Sequence, residues 1–213
     1  MEDNLYNIMK QCKKYNKLYD NVLKKENLQF SIINNDNYMV LDIETTGLSD
    51  KDYIIQIAYN MYDIRMNCLL KRNYLINEHV GRTDFFNRFT LKEIKLNGLS
   101  AELVLNNLKN DLSHCKYIIG HNISFDIDKI NNYYKKYKIE CMMPKSICTM
   151  TLSKYKLNLR NVKGYIKNPK LSELYKYYYL NDANDNTLHD ASYDIEITFL
   201  CFKKLVDDKL IIL

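Results

Sequence analysis

Apolar positions along this chain switch between the spacing of a helix and that of a strand, and each switch marks an element. Leu5, Ile8, Met9, Cys12, Tyr15, Tyr19, Val22 and Leu23 recur at three-to-four spacing, which predicts an amphipathic helix over residues 5–25. A polar link, Asn34-Asn35-Asp36-Asn37, follows it, so residues 1–36 read as a helical extension and 37–213 as the main domain. Three strands come next, at Tyr38–Glu44, Tyr53–Tyr62 and Cys68–Ile76. The second alternates Ile55, Ile57, Tyr59 and Met61 on one face, and a turn near Arg65-Met66-Asn67 makes the second and third an antiparallel hairpin. A helix is then expected over Leu99–Leu112, with Leu99, Leu103, Leu108 and Leu112 on one side. A short strand at Tyr117–Ile119 leads to a helix over Asp126–Tyr137, with Ile127, Ile130, Tyr134 and Tyr137 inward. Another short strand lies at Ser146–Cys148, and helices follow at Leu171–Tyr179 and Ala191–Val206. A strand meander followed by alternating helices and strands predicts an α/β sandwich with a mixed sheet.

Composition narrows the class. A chain of 213 residues suits one well-buried domain with an appendage. It holds no apolar run of the length a membrane-spanning helix needs. Met1-Glu-Asp-Asn is acidic and polar, unlike a secretory signal. Six cysteines without a CxxC pair read as reduced thiols rather than a disulfide frame or zinc site. A soluble intracellular protein is expected, of unspecified compartment. The net charge of +5 is modest but unevenly spread. Lys145 to Tyr179 holds eight basic residues against Glu173 alone, interleaved with Tyr155, Tyr165, Tyr175, Tyr177, Tyr178 and Tyr179. Cations between aromatic faces suit a nucleic-acid strand; a solvated lysine-rich face is the alternative.

Three short constellations carry candidate chemistry. Asp42 and Glu44 interrupt the apolar run of the first strand and project from one side, about 7 Å apart. Paired carboxylates there call for positive charge, for which a divalent cation is the natural partner; a solvated or salt-bridged pair is the commoner case. Asp126, in His121-Asn-Ile-Ser-Phe-Asp126, opens the next helix, where an acid also suits the helix dipole. His189 and Asp194, in His189-Asp-Ala-Ser-Tyr-Asp194, lie at the mouth of the last helix. On a regular helix they would be about 140° apart, which places His189 on the entering loop. Four carboxylates and one histidine, at strand ends and helix starts, could converge on one end of the sheet.

These three segments resemble the motifs of DEDDh exonucleases of the DnaQ-like, ribonuclease H-like superfamily. Asp42-Ile-Glu44-Thr-Thr-Gly-Leu48 matches the first, His121 to Asp126 the second and His189 to Asp194 the third, in order, over about Asn37 to Val206. The first is most similar to polymerase-proofreading members such as the epsilon subunit of bacterial DNA polymerase III. The resemblance implies a mixed five-stranded sheet flanked by helices, with the N-terminal helix as an extra. It implies metal-dependent 3′→5′ hydrolysis of nucleic acid, with DNA favoured, by a two-metal-ion mechanism. Asp42, Glu44, Asp126 and Asp194 would be the metal ligands and His189 the general base. Two Mg²⁺ ions are expected, with Mn²⁺ as substitute. Thr45, Thr46, Gly47 and Leu48 would meet the 3′-terminal nucleotide, and His121, Asn122 and Phe125 would line the strand path. The expected partners are single-stranded or frayed 3′ ends, and no membrane. The N-terminal helix could dock on a polymerase, seal the chain's own core or make a dimer. Exoribonuclease or oligoribonuclease activity is the alternative on the same scaffold, as is a non-catalytic nucleic-acid-binding module. Cys148-Thr149 stands where family members often carry Asp-Thr, a position that is not a metal ligand.

Overall fold

Five strands form one mixed sheet in the order β3-β2-β1-β4-β5. The structure is a computed structural model and describes residues 36–49, 51–78, 89–181 and 190–211. All of these fall in one compact unit, Asn35–Leu213; the helix expected over residues 5–25 lies outside the described residues. Strands β1 (Asn37–Thr45), β2 (Ile54–Tyr62) and β3 (Cys68–Leu75) make an antiparallel meander. Strands β4 (Cys115–Gly120) and β5 (Lys145–Cys148) add on the other side of β1, parallel to it. The crossovers between parallel strands carry helices, as they must. Six helices are described: α1 (Leu91–Asn97), α2 (Ala101–Leu112), α3 (Ile123–Lys136), α4 (Thr149–Leu157), α5 (Leu171–Tyr179) and α6 (Ala191–Asp207). None is long and apolar enough to cross a membrane.

Helices cover both faces of the sheet, so β1 and β2 are buried on both sides. Tyr38, Val40, Ala58, Tyr62 and Ile119 pack with Leu174 of α5 and with Ala191, Ile195, Phe202 and Leu205 of α6. Tyr62 stacks on Phe199, ring centroids 3.7 Å apart. The alternate residues Met39, Leu41 and Ile43 stand beside Met61, Tyr59 and Ile57 in register, all buried on the opposite face. There the Tyr59 hydroxyl donates to Asp111 of α2 at 2.8 Å, and the Tyr134 hydroxyl of α3 donates to the Leu105 carbonyl at 3.3 Å.

Three details differ from the pattern-based expectation. The β2 face opposite Ile55, Ile57, Tyr59 and Met61 is also buried, because α6 lies over it. In α2 the inward positions are Val104, Leu105 and Leu108, while Leu103 is 47% exposed. Helix α3 begins at Ile123, with Asn122 at the N-cap in the left-handed region (φ 71°), a conformation asparagine tolerates. Asp126 therefore sits within the first turn instead of opening the helix.

Candidate functional site

The two carboxylates of β1 share the face of Tyr38 and Val40, which is the face that α6 covers. Helix α6 brings Asp194 to them one turn in from its N-cap, Asp190. Carboxylate oxygens of Asp42, Glu44 and Asp194 lie within 4.8 Å of one another, close enough for one cation to be shared. Asp126 stands outside that trio but acts on it electrostatically. Parallel pairing between β1 and β4 ends at Val40, so the outer edge of β1 is open beyond it. The Ile43 backbone hydrogen-bonds to the Asp126 carboxyl on this stretch.

Crowding leaves its mark on proton affinity. Burial, then repulsion from Asp126, Asp194, Glu44 and Asp190, pushes the Asp42 carboxyl well above the usual carboxylate range. Burial, then Asp194 and Asp190, pushes Glu44 up to about 8. Burial raises Asp126 as well, partly offset by backbone hydrogen bonds from its own amide and from Ile43. Every donor is a carboxylate oxygen, half-buried or buried, with like charge beside it. That donor set fits a hard divalent cation, which would relieve the repulsion.

Gln56, which sequence reasoning passed over, ties the two halves of the site together. It is fully buried in β2 and faces Glu44 across the ladder. Its Oε1 accepts from the Ala191 N–H at 3.1 Å, and its Nε2 donates to Asp190 Oδ1 at 3.1 Å and to Asn73 Oδ1 at 2.9 Å. The same Asp190 oxygen accepts from the Ser192 N–H and hydroxyl, at 3.0 and 2.6 Å. The start of α6 is thus pinned to the sheet beside Glu44, which sets where Asp194 arrives. A polar residue inside Ile54-Ile55-Gln56-Ile57-Ala58 was the available signal. Gln56→Leu orphans the buried Ala191 N–H and should cost about 1–3 kcal/mol of stability. It should also raise the Mn²⁺ concentration needed for half-maximal thermal stabilisation; an unchanged midpoint would separate Gln56 from the site.

The loop after β1 is braced from below. The Thr46 N–H donates to the Tyr53 carbonyl at 2.8 Å, and the Tyr53 N–H donates to the Thr46 hydroxyl at 2.9 Å. Asp52 accepts from the Ser49 N–H at 2.7 Å and from the Thr46 hydroxyl at 3.3 Å. A Cβ on Gly47 would lie 2.7 Å from that carboxylate, so a larger residue there would displace the Asp52 side chain from its place in the loop. The Thr45 hydroxyl donates to the Gly47 carbonyl at 2.7 Å. Lys129, buried in α3, donates to the Ser49 carbonyl and lies 5.6 Å from the centre of the Phe125 ring. Leu48 is left 85% exposed at the tip.

Of the expected strand-path residues, Asn122 is exposed and Phe125 half-buried. His121 is committed to the fold: Nδ1 meets the Thr149 hydroxyl and Nε2 the Pro169 carbonyl, both at 3.0 Å. Burial lowers its pKa, and Nε2–H donates to the Pro169 carbonyl, which can only accept. His189 lies outside the described residues. The tyrosine-rich basic segment is also partly spent on packing. Tyr175 and Tyr178 join the core against α6, Lys156 pairs with Asp208 at 2.8 Å and Lys167 with Glu173 at 2.5 Å.

Residues 39–202 match the RNase T exonuclease family, and this span includes both β1 carboxylates and Asp194. The chain belongs to that family. Among its relatives is the PolC-type DNA polymerase III of Ureaplasma parvum, 30% identical over 185 residues, which cover 83% of this chain and 12% of that protein. The PolC-type polymerase of Listeria innocua is 26% identical over 91% of this chain and 13% of its own length. The chain thus spans about one-eighth of these curated relatives. Among solved structures, Escherichia coli Exonuclease I in complex with a dA16 oligonucleotide superposes with a TM-score of 0.65 at 15% identity. That match covers 82% of this chain and 42% of Exonuclease I. The exonuclease-family fold, a mixed five-stranded sheet between helices, is the one described above.

Proposed function

We propose that this chain is a divalent-metal-dependent 3′→5′ exonuclease acting on single-stranded or frayed 3′ ends, with DNA favoured. The observation that carries it is the meeting of Asp42, Glu44 and Asp194, from a strand and a helix distant in sequence, within 4.8 Å. In this scheme Asp42, Glu44, Asp126 and Asp194 hold two ions, Mg²⁺ or Mn²⁺. Bound there, two divalent ions supply charge stabilisation to the entering and leaving oxygens of an in-line phosphodiester hydrolysis. His189, next to the N-cap Asp190, takes the proton of the attacking water in its neutral form. Thr45, Thr46, Gly47 and Leu48 seat the terminal nucleotide: the braced loop supplies backbone groups, and exposed Leu48 meets the last base. Asn122 and Phe125 lie along the strand path, while His121 shapes it from beneath. DNA is supported by the relatives, which are DNA polymerases, and by the oligonucleotide bound to Exonuclease I. Residues 1–36 serve in this scheme as a helical extension that docks on a polymerase or a second copy.

The test is degradation of 5′-labelled single-stranded DNA and matching RNA in Mg²⁺, Mn²⁺ or EDTA. A metal-dependent ladder shortening from the 3′ end, faster on DNA, is expected. A faster RNA ladder reassigns the substrate to RNA, and intact strands in every metal sink the proposal.

The raised carboxyls set a pH signature. A carboxyl whose folded pKa exceeds its unfolded value binds more protons in the native state, so its stability contribution is full below the unfolded pKa and is lost as pH rises. For Glu44 that window runs from about 4.5 to about 8. Without divalent ions the protein should therefore melt progressively lower from pH 5 to 8, while Mn²⁺ should raise the melting temperature by a margin that widens over the same range. Melting curves in EDTA and in Mn²⁺ across this range check it; a constant margin would place the ion elsewhere.

A further inference from the structure

Between α4 and α5 the chain makes a hairpin that the scheme above does not use. The Lys167 N–H donates to the Leu159 carbonyl at 2.8 Å, the Asn161 N–H to Tyr165 at 2.9 Å, and Arg160 pairs with Ile166 in an antiparallel bridge. The turn closes with the Gly164 N–H on the Asn161 carbonyl at 2.9 Å, Gly164 lying in the left-handed region at φ 81°. The Asn161 side chain accepts from the Lys163 and Tyr165 N–H groups at 3.0 and 3.1 Å. The Arg160 guanidinium donates to the Gly164 carbonyl at 2.7 Å. So many bonds over nine residues hold one shape.

Its apex exposes two apolar side chains to solvent. Val162 is fully exposed and Tyr165 is 70% exposed, with Lys163 between them and in no ion pair among the described residues. The base is fastened to the site end of the sheet. Two residues past the hairpin, Pro169 receives the hydrogen bond of His121, which directly follows β4 beside β1. Seven residues separate Val162 from Pro169, at most about 25 Å of chain. That reach corresponds to no more than about seven stacked nucleotides. The surrounding charge is positive: Lys154, Arg160, Lys163 and Lys170 lie close in the chain, while the nearby acid, Glu173, is held by Lys167. A rigid aromatic and aliphatic tip among cations suits the bases and phosphates of a nucleic-acid strand.

We propose that the hairpin over residues 159–167 is a finger that grips the nucleic-acid strand upstream of its 3′ end, with Val162 and Tyr165 against base faces and Lys163 on a phosphate. The proposal rests on the exonuclease assignment and adds a second, length-dependent contact to it. The test variant carries Val162→Ser, Lys163→Ala and Tyr165→Ala, all at exposed positions. Three substrates are compared: the p-nitrophenyl ester of thymidine 5′-phosphate, a labelled trinucleotide and a labelled 20-nucleotide strand. The variant should match wild type on the ester and the trinucleotide, while its KM for the long strand rises about ten-fold or more. Lys163→Ala alone should lower the slope of log KM against log salt by about 1. An unchanged KM for the long strand overturns the proposal and leaves the apex as a protein-docking point. A wild-type protein inert towards ester and strands alike overturns the exonuclease assignment, and the finger with it.

Discussion

Asp42→Asn should yield a protein that shortens no strand yet melts higher than wild type in EDTA. The two effects have one cause. Asp42 is the residue on which repulsion from Asp126, Asp194, Glu44 and Asp190 converges, in a buried setting. An amide of the same shape removes that repulsion from the metal-free fold. Each kcal/mol recovered raises the melting temperature by about 2–4 °C in a domain of this size. In the proposed scheme the same amide also removes a metal ligand, and with it several kcal/mol of transition-state charge stabilisation, so the rate should fall at least about a thousand-fold. Melting in EDTA and single-turnover cleavage in Mg²⁺ read the two effects separately. A variant that is inactive but less stable than wild type would make Asp42 a structural residue.

His189→Ala should lower turnover by about 10²–10⁴-fold while leaving the Mn²⁺-induced rise in melting temperature intact. The separation follows from the proposed scheme, in which the carboxylates hold the ions and the imidazole moves a proton. The limb of the wild-type pH profile that an imidazole base carries should vanish in the variant. A variant with the wild-type pH profile and near wild-type rate would hand the base role to another group.

How far the sequence announces this structure depends on how each element is buried. Strands β1 and β2 are covered on both faces and appear as near-continuous apolar runs, so carboxylates within them stand out at once. Helix α6 announces itself through Ile195, Phe202 and its neighbours on one side. Helix α4 does not: Thr149 and Ser153 are its buried residues, and no apolar stripe marks it. Helix α1 is short and buries Ile94; its signature was the Thr90–Glu93 capping box rather than any periodicity. The hairpin over residues 159–167 is held by backbone and asparagine bonds, which leave no hydrophobic period to detect. Gln56 belongs to a further class: its partners Asp190 and Ala191 are brought to it by the fold alone.

The placement of the third carboxylate on α6 bears on how this molecule comes into being. A ribosome delivers the whole sheet before it delivers that helix. Until α6 emerges, Asp42 and Glu44 have no Asp194 beside them, and Tyr38, Val40 and Tyr62 lack the cover of Ala191, Ile195, Phe202 and Leu205. Gln56 likewise waits for Ala191 and Asp190. The three-carboxylate cluster is therefore complete only once α6 has docked on a sheet already made.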